Sequence, residues 1–145
     1  MAHWLFKTEP SEYSYADLVR DKHVVWEGVS NATALIHLRA VAKGDTVVVY
    51  HTGADKSVVG LAEVAKGPYP DPKLGEPKRV VVDLKPVRAF LNPLPLSEFR
   101  TDAVLKTTEL VRNSRLSVMP LTPEHFTRIV ARTSAHNDAR SGGKS

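Results

Sequence analysis

The apolar positions of this chain change period as it is read from the N-terminus. Residues 3–7 (HWLFK) form a short apolar run that stops at Thr8-Glu9-Pro10, which predicts a first strand and a turn. Ser14 and Asp17 have capping-box spacing and predict a short helix to about Lys22. Residues 24–26 predict a short strand before a glycine turn. Over 31–41, Leu35, Ile36, Leu38 and Val41 recur at helical spacing, with Gly44 as a stop signal. The period then shortens to that of strands. Residues 45–51 (DTVVVYH) and 58–65 (VVGLAEVA) are rich in β-branched side chains and predict a hairpin through 52–56. Pro68, Pro70, Pro72 and Pro77 predict a loop, and 79–87 (RVVVDLKPV) predicts another strand. Residues 94–110 hold one or two short helices, and 116–119 a final strand. Thr122-Pro123-Glu124 is a helix start, with Phe126, Ile129 and Val130 on the buried face. From Ser134 the chain is polar and glycine-containing, which predicts a disordered tail.

Short strands with helices inserted, and no repeating strand–helix alternation, predict a mixed α+β fold. A small curved sheet or barrel suits this order better than a doubly wound sheet. No internal repeat or long linker divides the chain, so the reading is one domain over 1–133 and a tail over 134–145.

Composition narrows the class. Of 145 residues, 42% are apolar and 25% charged, as in ordinary globular domains. The absence of cysteine removes disulfide scaffolds, thiol catalysis and cysteine-based zinc sites. No apolar run approaches the ~18–20 residues that span a bilayer. The expectation is therefore a monomeric intracellular protein with no membrane partner, cytoplasmic in a bacterium or nuclear in a eukaryote. The net charge of +4 favours an anionic partner, although the basic residues are scattered, with no run of four.

Catalytic patterns are missing. The six histidines show no metal-ligand spacing, and no nucleophile elbow, phosphate loop or dinucleotide fingerprint occurs. The pattern calls for no metal and no cofactor. Among the carboxylates, Glu9, Glu12 and Glu63 read as surface or capping groups. Glu27 stands apart because it adjoins a tryptophan.

That tryptophan opens the most informative stretch, Trp26-Glu27-Gly28-Val29-Ser30-Asn31. A flat ring beside a glycine turn suits the wall of a pocket for a planar ligand. Stacking on such a ring contributes about 1–3 kcal/mol per base. Ser30 and Asn31 cap a helix or meet a ligand edge; Tyr50, His51 and Thr52, at a strand end, are further polar candidates. Trp4 reads as core.

The ordered set Trp4 to Pro10, Trp26 to Asn31, Gly44-Asp45, Val49 to Thr52, Val59 to Val64, Tyr69 to Pro72, and Arg115 to Val118 with Pro120 resembles the EVE domain family. The resemblance implies a PUA-like domain, a small twisted β-barrel of mixed strands with short helices around it, related to the YTH domains. It implies non-enzymatic recognition of a modified base in DNA or RNA, held in an aromatic pocket. Carried onto this chain, Trp26 is a cage wall, Glu27 to Asn31 the polar rim, and Tyr50-His51-Thr52 the opposite side. Leu116 and Ser117 close the pocket, and Lys7 and Arg39 contact phosphate. Ser30 departs from the family's usual arginine, and Arg79-Val80 stands where an aromatic is common. The alternative is a binder of a free nucleoside or nucleotide, or a weak enzyme acting on one.

Overall fold

The computed structural model describes residues 1–134. Six strands and five helices follow one another as β1 (His3–Thr8), α1 (Tyr15–Asp21), β2 (Val24–Trp26), α2 (Ala32–Ala40), β3 (Thr46–His51), β4 (Ser57–Pro70), β5 (Val80–Pro95), α3 (Leu96–Thr101), α4 (Glu109–Arg112), β6 (Val118–Leu121) and α5 (Pro123–Ser134), with a 3-10 turn at Leu105–Thr107. The expected mixed α+β architecture is present. The strands form one sheet in the order β2-β5-β4-β3-β1-β6. β2 and β6 lie at opposite ends of this order, so the sheet is not closed into the expected barrel.

The centre of the sheet is β1 paired in parallel with β3, and β3 antiparallel to β4. Leu5 and Phe6 point to opposite faces of β1 and are both fully buried, so the sheet is covered on both sides. This is why β3 reads as the continuous run Val47-Val48-Val49 rather than as an alternation. The core is tied to the N-terminus by Asp45. Its carboxylate accepts the Ala2 N–H (3.0 Å), the Trp4 indole N–H (2.9 Å) and the Ala42 N–H (2.9 Å). Burial works against its charge, but these donors prevail and hold its pKa below the usual range.

The helix starts follow their local signals. Ser14 and Asp17 form the reciprocal capping box of α1, and the Asn31 side chain accepts the Ala34 N–H at the start of α2. Elsewhere the tertiary context changes the outcome. β4 and β5 run well past the predicted ends, and Pro68 and Pro70 lie inside β4 instead of in a loop. The β4–β5 ladder slips register between Lys66 and Tyr69, and such irregularities are where a strand accommodates proline. On α2, Ile36 is 59% exposed; Ala34, Leu35 and Leu38 supply the buried face. On α5 the buried residues are His125, Ile129 and Thr133, whereas Phe126 and Val130 are half-buried. α5 includes Ser134, and the rest of the predicted tail lies outside the described residues.

Candidate functional site

β2 is a three-residue edge strand whose one partner is β5. Immediately after it, Gly28 has φ +84°, with nothing near the position of a Cβ. Glycine is needed there for backbone conformation rather than for space. The turn carries the chain away from the sheet and leaves a cleft of about 480 Å³ between β2 and the end of β1. Its walls are Lys7, Thr8, Glu9, Glu12, Tyr13, Val24, Val25, Trp26, Glu27 and Gly28. The volume lies within the ~300–1,000 Å³ typical of ligand sites.

Trp26 belongs to the core as well as to the cleft. Only 9% of it is exposed. Its ring lies 5.7 Å from that of Phe6 at 48°, and 6.5 Å from Tyr13 in an edge-to-face arrangement at 89°. The Tyr13 hydroxyl donates to Asp21 at 3.0 Å. Burial comes first, and this bond second, among the causes that push the Tyr13 pKa up to about 12. The phenol is therefore neutral at physiological pH.

Three carboxylates and one ammonium line the cleft. Glu27 accepts from Lys73 at 3.1 Å. Glu9 accepts the Ser11 N–H at 3.2 Å and its hydroxyl at 3.0 Å, bonds that lower the Glu9 pKa, and accepts the Thr52 hydroxyl at 3.2 Å. Glu12 is exposed. Lys7 donates to the Ser114 carbonyl at 2.7 Å, and its Nζ sits 5.7 Å from the centre of the Tyr50 ring. Burial lowers its pKa.

Of the residues singled out in the sequence, Lys7, Trp26, Glu27 and Gly28 meet at this cleft. The others take different places. Val29 packs on the core, Ser30 is exposed, and Asn31 caps α2. Tyr50 is buried under Lys7. His51 is buried, accepts the Tyr15 N–H at 3.0 Å, and contacts Asp55 at 3.0 Å through its other nitrogen. Thr52 reaches the cleft at one remove, through Glu9. Leu116 is buried, and the Ser117 carbonyl accepts the Lys7 N–H at 3.0 Å. Arg39 donates to the Lys78 carbonyl at 2.8 Å, so its guanidinium is engaged with the loop after β4.

Thr8, Glu9, Glu12 and Tyr13 were not placed at the site by their sequence. The one local hint is an aromatic, Tyr13, directly before a helix cap. A second cleft of about 410 Å³ shares Val24, Val25 and Glu27 with the first and adds His23, Tyr69, Asp71, Pro72 and Lys73. Two of its lining residues meet at the buried Asp83, whose carboxylate accepts from the Tyr69 hydroxyl and contacts His23 Nε2 at 2.8 Å. Chiefly through that bond to Asp83, the Tyr69 pKa rises to about 12.

An open mixed sheet with an aromatic and acidic cleft beside an edge strand defines a small α+β domain with a cleft of ligand size. The chain belongs to the EVE domain family, whose sequence pattern matches residues 2–132. It is 31% identical over 158 aligned residues to thymocyte nuclear protein 1 of Gallus gallus, covering 86% of this chain and 65% of that protein. An NMR structure of a Rhodopseudomonas palustris protein superposes with a TM-score of 0.88 at 34% identity, covering 92% of this chain and 93% of that one. The human THYN1 protein, solved in complex with DNA containing 5-methylcytosine, superposes with a TM-score of 0.84 at 29% identity, covering 94% and 99% of the two chains. Among the described residues no helix is long and apolar enough to cross a membrane.

Proposed function

We propose that this protein recognises a modified base in DNA or RNA, extruded from its strand into the cleft beside β2, without transforming it. The observation that carries the reading is the convergence of Trp26, Glu27 and Gly28 on one cleft, in a chain related to a protein solved with methylcytosine DNA. Trp26 and Tyr13 supply apolar wall. Glu27, Glu9 and Glu12 supply acceptors for the N–H groups of a base edge, and a carboxylate is a natural partner for the cytosine amino group. On this reading Tyr13 shifts to uncover more of the Trp26 face. The protein acts as a monomer inside the cell, where its partner is.

One observation favours a second reading. The cleft holds three carboxylates against one lysine, which suits a neutral nucleoside better than a phosphate. A binding screen separates the two. Oligonucleotides carrying methylated or hydroxymethylated bases are titrated alongside their plain counterparts and the free nucleosides. Preference for a modified oligonucleotide supports the reader; tight, salt-independent nucleoside binding without it supports the small-molecule site. Equal affinity for all of them defeats both.

A further inference from the structure

The cleft cannot itself hold the strand that delivers a base. Glu9, Glu12 and Glu27 repel phosphate, and Lys7 is their one cationic neighbour in its walls. A backbone entering or leaving the cleft needs a positive surface next to it. Arg39 is a poor candidate because its guanidinium is tied to the Lys78 carbonyl.

The surface beyond Lys7 is different. The Lys7 ammonium reaches out of the cleft to the Ser114 carbonyl, which Arg112 and Arg115 bracket in the chain. Lys7 also lies over Tyr50, and the charge of Arg100 on α3 acts on that same phenol. Arg100, Arg112 and Arg115 are exposed. Among the described residues none of the three has a carboxylate within ion-pair distance, although acids are close in the chain. The two nearest Arg100, Glu98 and Asp102, are already engaged by α5. Arg132 holds Glu98 at 2.5 Å and Asp102 at 3.2 Å, and Arg128 holds Asp102 at 3.1 Å. The α5 arginines thus neutralise the acids of the α3 region and leave Arg100 without a counter-charge. The result is a run of uncompensated cations starting at the mouth of an acidic cleft.

We propose that Arg100, Arg112 and Arg115 form, with Lys7, a phosphate track that carries the nucleic-acid backbone past the cleft through the α3–α4 region and the turn before β6. This rests on the base-recognition reading for the identity of the partner, but its three arginines lie outside the cleft, whose wall includes Lys7. The track makes no base contact. It supplies affinity and register, while the cleft supplies selectivity.

The test compares wild type with R100Q/R112Q/R115Q, and with K22Q/K43Q/K78Q as a control of equal charge change at exposed lysines elsewhere. Each is titrated at several salt concentrations with a 5-methylcytosine oligonucleotide, its unmethylated twin and free 5-methyl-2′-deoxycytidine. Each phosphate contact contributes about 0.9 to the slope of log affinity against log salt on duplex DNA. The arginine variant is expected to lose about two to three units of slope and at least about tenfold in oligonucleotide affinity, with nucleoside binding unchanged. The lysine variant is expected to keep the wild-type slope. Equal slopes in wild type and the arginine variant, or equal losses in both variants, overturn the track and leave the cleft reading standing. A slope that depends on the three arginines, without any methyl preference in wild type, keeps the track and overturns the cleft reading. Absence of oligonucleotide binding in wild type overturns both.

Discussion

The ring of Trp26 lies 5.7 Å from that of Phe6, tilted by 48°, so the side chain that faces the cleft is also a structural member of the core. Removing it changes stability and binding together. Trp26→Ala is expected to destabilise the fold by about 3–5 kcal/mol, as large-to-small core substitutions do. Trp26→Phe keeps an aromatic ring against Phe6, so it gives up less packing than alanine while reducing the stacking surface. The expected outcome is a smaller fall in Tm than in Trp26→Ala, with a loss of modified-base affinity of up to about tenfold. Calorimetry and titration on the same sample check this; wild-type affinity in the phenylalanine variant removes the stacking role.

Glu27 offers a cleaner probe. Its contact with Lys73 joins side chains 48% and 74% exposed, and pairs that open to solvent contribute at most about 1 kcal/mol. Glu27→Gln keeps the shape but gives up the charged acceptor. Tm should stay within about a degree or two of wild type, while affinity for an amino-bearing base falls by roughly tenfold. Lys73→Ala should leave both nearly unchanged. A Glu27→Gln protein that binds like wild type would remove this residue from the base edge.

Acid should loosen the α3–α5 junction. Burial raises the Asp102 pKa, but the N–H groups of Leu105 and Val104 and the Arg128 guanidinium outweigh it and hold the group at about 2. The folded value lies below the ordinary 3.8. The stabilisation is therefore complete above about pH 4 and disappears as pH falls through 2. Asp102→Asn should cost about 1–2 kcal/mol at pH 7, with the gap to wild type closing between pH 4 and pH 2. Urea midpoints across that range test it, and a gap independent of pH would mean that the charge is not the cause.

Gly60 sits under the ring of Tyr15. A Cβ there would lie 2.4 Å from two carbons of that ring, which is 4% exposed and anchored by its hydroxyl to the Leu61 carbonyl at 2.6 Å. Gly60→Ala should cost about 1–3 kcal/mol through overpacking. Gly28→Ala meets no atom, and its cost, about 1 kcal/mol, should come from the positive φ alone. Equal denaturation midpoints for wild type and Gly60→Ala would show that the ring yields.

Elements governed by neighbours within one turn of chain were legible in advance. Ser14 and Asp17 announced α1, Asn31 announced α2, and the Val47-Val48-Val49 run announced a strand. Trp26 to Gly28 was legible as one wall of the cleft for the same reason, since a ring, a carboxylate and a glycine turn are adjacent. The extent of β4 and β5 was not. Prolines terminate strands by local rules, and only cross-strand pairing with slipped register overrode them.

The rest of the site required the fold. Glu9, Glu12 and Tyr13 follow β1, and nothing in their own neighbourhood says that β2 will stand opposite them. The strand pairing also turned Tyr50 and His51 into buried supports, and the assembled fold leaves Arg100, Arg112 and Arg115 exposed. Chain-local chemistry determined which segments become helix or strand and marked one wall of the cleft. The opposite wall, and which charges lack a partner, are set by contacts between residues far apart in sequence. Those contacts exist only once the sheet is assembled.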